Sequence, residues 1–263
     1  MGLLPLTRDR CRYWKDEGVL LGSFPFGETD RIVTLFTRQR GKIRVIAKGA
    51  RKVGNRFGIS LDFFSYSSFF LYSGKGLPML IQASLQESYR SLVNSPRRWG
   101  AGHYLLYLVD RCFEMGEPCP RIAEEIKSGW RICLEREDKD IEAMLIKFLL
   151  DLIFYMGFTP SFSNCIACQK AVPSDSAFWD NRRGGVLCAE CGPGEMLLPP
   201  YVLPILRQLQ LLPLTTAATT LSLSASQRSF LGQFLTKYLE HHIGERIISW
   251  DHFLAKIKAI EVS

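Results

Sequence analysis

The sequence predicts an α+β chain of several domains: an N-terminal five-stranded β-barrel of the oligonucleotide-binding (OB) type, then a helical domain that carries a four-cysteine zinc-ribbon insert. Three observations lead there. Apolar residues recur at strand spacing over the first 85 residues and at 3.6-residue spacing beyond Pro96. Two Cys-x-x-Cys pairs, Cys165/Cys168 and Cys188/Cys191, stand 19 residues apart. Cations gather at one end: residues 1–80 hold 14 Lys+Arg against 6 Asp+Glu, and the remainder 19 against 20.

Size and composition set the frame. The chain has 263 residues, 47% apolar and 22% charged, with a formal net charge of +7. That length exceeds the roughly 100–200 residues of one domain, and the composition excludes disordered, collagenous and coiled-coil classes. The expected boundaries are 1–85 for the barrel, 86–163 with 193–263 for the helical domain, and 164–192 for the zinc module.

Gly18–Phe26 and Arg31–Phe36 flank a Gly27-Glu28-Thr29-Asp30 turn, and Lys42–Ala47 follows Gln39-Arg40-Gly41. Leu61–Tyr72 and Leu77–Leu85 sit either side of Gly74-Lys75-Gly76, read as a tight hairpin turn because a Walker sequence would need other residues around it. Five short strands with Gly-containing turns signal a small barrel. OB and SH3-like barrels share that strand count, and about 85 residues suits the OB type. Phe24 and Phe26 are expected in the barrel core, with base stacking as their other reading, and Phe57 shares the same two readings.

Helical periodicity covers Arg97–Met115, Arg121–Glu135 and Asp140–Met156, with Pro118 and Pro120 between the first two. Met144–Phe158 reads as a buried helix, since Lys147 and Asp151 interrupt it and it falls short of the ~20 residues that span a bilayer. The run Glu135–Glu142 alternates charges and is expected to form a solvated face. Helices return at Pro200–Leu211, Ser226–His242 and Trp250–Ala259.

In the four-cysteine insert, two residues between cysteines let one turn aim both thiolates at a single ion, and two such turns complete a tetrahedron. The spacing lies in the window for a zinc site. Four thiolates leave no position for water, so one structural Zn²⁺ per chain is expected, with Cys165, Cys168, Cys188 and Cys191 as ligands. Trp179–Gly185 is expected to turn between two short strands. Cys11, Cys112, Cys119 and Cys133 read as packing residues. Met1–Arg10 has too short an apolar run for a secretory signal, and eight cysteines without one favour reduced thiols and a cytoplasmic address.

The barrel is where the charge lies. Alternation puts Lys42, Arg44 and Lys48 on one face, and Arg51, Lys52 and Arg56 crowd the next loop. With Arg31 and Arg38 they form the candidate DNA-binding set, because such a stripe attracts a polyanion. Catalytic motifs are not found: no GxSxG, HExxH or GxGxxG occurs. A binding protein is expected rather than an enzyme. An RNA-binding translation or transcription factor built from a barrel and a zinc ribbon is the alternative, separable by competition between RNA and single-stranded DNA.

The segment Gly27-Glu28-Thr29-Asp30-Arg31-Ile32-Val33-Thr34-Leu35-Phe36-Thr37, then Gly41, then Ala47-Lys48-Gly49-Ala50-Arg51, resembles the N-terminal pattern of the bacterial recombination mediator family RecO. The order of barrel, helices and Cys-x-x-Cys pairs extends the likeness over nearly the whole chain. Asn55-Arg56-Phe57-Gly58 departs from it, replacing part of a basic, Ser-rich loop. The resemblance implies a non-enzymatic DNA repair and recombination factor, nucleoid-associated, with a structural zinc module. It implies binding of single- and double-stranded DNA and annealing of complementary strands. As partners it implies RecR, the acidic C-terminal tail of single-strand-binding protein and, functionally, RecA.

Overall fold

A computed structural model describes residues 12–220 and 222–261, with side chains through residue 255. The leading decapeptide and Cys11 lie outside the described residues. The chain divides into two compact units.

The first unit runs through Arg90 and takes back Glu114–Ala123. Its strands β1 (Tyr13–Phe26), β2 (Asp30–Thr37), β3 (Gly41–Ala47), β4 (Ser65–Tyr72) and β5 (Met79–Ser88) close a barrel in the order β1-β2-β3-β5-β4. All neighbours are antiparallel except β3 and β5, which pair in parallel through Ile46 and Met79. Alternation fills the interior with Leu20, Val33, Leu35, Val45, Ala47, Phe69, Leu71 and Leu80. β1 begins five residues before the expected Gly18, because Tyr13–Val19 pair with β4 while Gly18–Phe26 pair with β2. β4 starts at Ser65 rather than Leu61, since Gly58–Leu61 winds into a short 3₁₀ turn. The connection around Gly74–Gly76 is not a tight turn: it spans the six residues between Tyr72 and Met79, which are paired across it.

Glu114–Ala123 returns to the barrel where β2 turns into β3. Met115 bridges Lys42 in parallel, and the Gly116 N–H donates to the Lys42 carbonyl at 2.8 Å. Gly41 is needed there. Its φ is +63°, and a Cβ would run into the Glu117 carbonyl.

The second unit holds Ser91–Phe113 and the chain from Glu124. Helix α1 (Pro96–Cys112) starts from Ser95, whose hydroxyl accepts from the Arg98 N–H, with Pro96 pre-set in the first turn. Helix α2 (Pro120–Glu135) follows, and its Trp130 indole donates to the Gly102 carbonyl. In α3 (Asp138–Tyr155) every residue from Ile141 to Ile153 is buried, which makes it the central helix. Its Lys147 and Asp151 are buried too, and they pair with each other one turn apart. Burial raises the Asp151 carboxyl, opposed by that ammonium.

Glu142 corrects the expectation of a solvated face. Its side chain is 10% exposed and bridges two arginines: Arg97 Nη2 at 2.7 Å and Arg228 Nε at 2.6 Å. Arg97 also reaches Asp138 at 3.1 Å. The outer part of the run, such as the Lys139–Glu137 pair, is exposed as expected.

Helix α4 (Val202–Leu211), the unanticipated α5 (Leu214–Thr220), α6 (Ala225–Ile243) and α7 (Trp250–Glu261) complete the unit. A capping box of Ser224 and Gln227 opens α6, and Gly244 at φ +69° closes it. Among the described residues, no helix is long and apolar enough to cross a membrane.

Candidate nucleic-acid interface and metal centre

The candidate metal centre is built by backbone turns. In the first, the Gln169 N–H donates to the Cys165 carbonyl at 2.8 Å, and Gln169 takes a left-handed φ of 63°. In the second, the Cys191 and Gly192 N–H groups both donate to the Cys188 carbonyl. The insert also forms a three-stranded sheet: β6 (Phe178–Asp180) at its centre, with β7 (Gly185–Leu187) on one side and β8 (Met196–Leu197), which follows the second turn, on the other. Trp179 belongs to β6 rather than to the turn, and β8 carries no periodicity signal in the sequence. Trp179 is buried, with Phe162, Phe234 and Tyr238 around its ring.

The Sγ atoms of Cys165, Cys168, Cys188 and Cys191 all lie within 4.8 Å of one another, and Cys168 and Cys188 are 3.7 Å apart. A tetrahedron with metal–sulfur bonds of 2.3 Å has sulfur–sulfur edges of about 3.8 Å, so the donor set fits one ion of zinc's size and softness. Its electrostatics agree. Burial resists ionisation of Cys165, but the N–H groups of Cys168, Cys188 and Ala167 outweigh it and bring the thiol down to about 6. Cys191 is pushed up to about 12 by its hydrogen bonds to the Cys168 and Cys188 sulfurs and by burial. The surroundings thus favour a thiolate at Cys165, whereas one at Cys191 calls for a cation beside it. Lys170 and Glu190, one beside each turn, pair at 2.9 Å.

On the barrel, the eight candidate cations fall into two groups. Lys48, Arg51, Lys52 and Arg56 are exposed on the loop after β3, and that loop folds onto the β1–β2 turn. Arg51 N–H donates to the Thr29 carbonyl at 2.9 Å, and its guanidinium to the Gly27 carbonyl at 3.1 Å. Arg31 is at the same end, lining a cleft of about 110 Å³ with Ser23, Asn55 and Asp62. Arg44 is exposed midway along β3. Arg38 and Lys42 are at the opposite end: the Arg38 N–H donates to the Glu17 carbonyl, and Lys42 joins Met115. Lys42 and Lys48 are six residues apart on an extended strand, ~20 Å. Asp30, an acid beside the first group, is engaged locally. It accepts from the Gly49 N–H at 2.8 Å, which together with the Thr29 hydroxyl, Lys48 and Lys52 lowers its carboxyl against the opposing effect of desolvation.

The three phenylalanines divide differently from expectation. Phe57 is in the core, with the Arg56 guanidinium 4.9 Å above its ring. Phe24 and Phe26 are not core residues: they are 46% and 47% exposed. The cause is a bulge. The β1–β2 register shifts between Leu20 and Gly22, so Leu20 faces in opposite Leu35, but Ser23 then takes the inward place opposite Val33. Phe24 and Phe26 consequently face outward, opposite Ile32 and Asp30. Gly22, a glycine inside a strand, was the sequence signal for such a bulge.

Residues 12–89 match the family model described as Recombination protein O N terminal, and residues 93–251 match Recombination protein O C terminal. The chain is also similar to curated proteins named DNA repair protein RecO. That of Alkaliphilus metalliredigens (strain QYMF) is 32% identical over 177 residues, covering 67% of this chain and 71% of that one. That of Streptomyces avermitilis is 32% identical over 202 residues, 73% of this chain and 80% of that one. That of Shouchella clausii (strain KSM-K16) is 27% identical over 235 residues, 89% of this chain and 91% of that one.

Proposed function

The chain belongs to the RecO family, and from that premise we propose that it is a non-enzymatic DNA repair and recombination mediator. It binds single- and double-stranded DNA and anneals complementary strands. With RecR it helps RecA onto DNA covered by single-strand-binding protein, whose acidic tail it contacts. Its address is the cytoplasm, at the nucleoid. Its metal is one zinc ion held by Cys165, Cys168, Cys188 and Cys191, with a purely structural role.

The observation that carries the DNA reading is the group of exposed cations at one end of the barrel. Lys48, Arg51, Lys52 and Arg56 are the proposed phosphate contacts there, Arg44 midway along β3 is a fifth, and Arg31 lines the adjacent cleft. Arg38 and Lys42, at the other end, are proposed as contacts for a longer or second strand. Phosphate neutralisation reads no sequence, as a factor acting at any break requires. It also screens the mutual repulsion of two strands held for annealing.

Five contacts on a single strand give a log–log salt slope of about −3.5. Lys48→Glu with Lys52→Glu should flatten it to about −2 and weaken all sequences alike. Fluorescence anisotropy across a salt series measures both. A wild-type slope near zero would overturn the phosphate reading. Competition between structured RNA and single-stranded DNA separates it from an RNA-binding factor, with DNA expected to win.

A further inference from the structure

We infer that Phe24 and Phe26 form a stacking platform for unpaired bases, and that this platform, not the cations, favours single strands over duplex. The bulge after Leu20 turns both rings out of the barrel on one face, two residues and ~7 Å apart along an extended strand. Two half-exposed phenylalanines side by side form an apolar patch that packing does not explain. Among the described residues neither ring has an aromatic partner, whereas the exposed Tyr13 stacks on Phe70 and leans on Tyr72.

The surroundings select the occupant. Phe26 adjoins Gly27, whose carbonyl is held by the Arg51 guanidinium, so a phosphate-seeking loop begins beside the rings. Lys48 follows β3 at the same end of the barrel, and Arg44 is exposed further along that strand. The Asp30 carboxylate opposite Phe26 is turned to the Gly49 N–H and the Thr29 hydroxyl. Flat apolar rings bordered by cations fit a chain of π-faces joined by phosphates. A nucleic acid offers those faces only where its bases are unpaired, since a duplex keeps them stacked inside.

The inference rests on the phosphate reading above, and its test keeps the two apart. Phe24→Ala with Phe26→Ala is compared with wild type on a single-stranded oligonucleotide, a duplex of the same length and an abasic strand, each across a salt series. Loss of two stacked bases should lower single-strand affinity roughly 30-fold or more, leaving duplex affinity and salt slope unchanged. Wild type on the abasic strand should bind as the variant binds the ordinary one. Phe24→Tyr with Phe26→Tyr keeps a ring at each place and should bind like wild type, which controls for folding. Equal single-strand affinity of the alanine variant and wild type, with the slope intact, overturns the platform and spares the phosphate contacts. A salt-independent wild type overturns the phosphate reading and the inference with it.

Discussion

Cys165→Ser is expected to strip the protein of stoichiometric metal and lower its melting midpoint by about 10 °C or more, the largest effect of any single change considered. Cys165 is fully buried, and it is the thiol that the surrounding N–H groups bring down to about 6. Serine supplies no thiolate. The strands it would leave unsupported are very short: three residues each in β6 and β7, and two in β8. Strands of that length do not hold together alone in water. Structural zinc in small modules contributes on the order of 10 kcal/mol, comparable to the whole stability of a typical domain. Even a third of it, at about 2–4 °C per kcal/mol in a body of this size, gives the stated shift. Elemental analysis and calorimetry, with and without a chelator, provide the measurement. Unchanged melting of metal-free wild type would show that the fold does without the ion.

Glu142→Gln comes second. It removes the charge that holds Arg97 and Arg228, each with a side chain only 16% exposed. Arg97 keeps Asp138, and Arg228 keeps the Leu223 carbonyl, but neither regains the shared carboxylate. Breaking a buried pair from one side costs about 3–5 kcal/mol, because the remaining charges cannot return to water. A midpoint lower by about 10 °C is expected from thermal unfolding. Glu137→Gln, which breaks the exposed pair with Lys139, is the matched control and should not move the midpoint measurably. Equal melting of the two variants would mean that the Glu142 network contributes nothing.

How legible was this in the sequence? Periods of two and 3.6 placed the five barrel strands and the long helices, because burial on one face forces that spacing. The cysteine pairs placed the four-thiol cluster, because ligand geometry leaves little freedom in spacing. What escaped depends on contacts distant in sequence. Glu142 looked like one more charge in an alternating run until α1 and α6 supplied arginines to bury it. The return of Glu114–Ala123 to the barrel rests on backbone bonds to Lys42, which side-chain pattern does not encode. α5 was missed because Thr-rich Leu214–Thr220 has weak helix propensity and gains its helix from packing: Leu214, Ala217 and Ala218 are buried. The cations were legible as a set, but their division between two barrel ends appears only once β3 is threaded between them.

The shift at Leu20–Gly22 places control of a whole face in a residue count. Adding one residue between Gly22 and Ser23, with the shift kept, would move all that follows one place along β2, turn both phenyl rings to the side of Val33, and bring Ser23 and Pro25 to the outside. Composition and net charge would hardly change, yet the outer wall would lose its aromatic character. A single-codon insertion would thus silence that wall while leaving the cations in place, and relatives are best compared there by the length of the strand rather than by the identity of its residues.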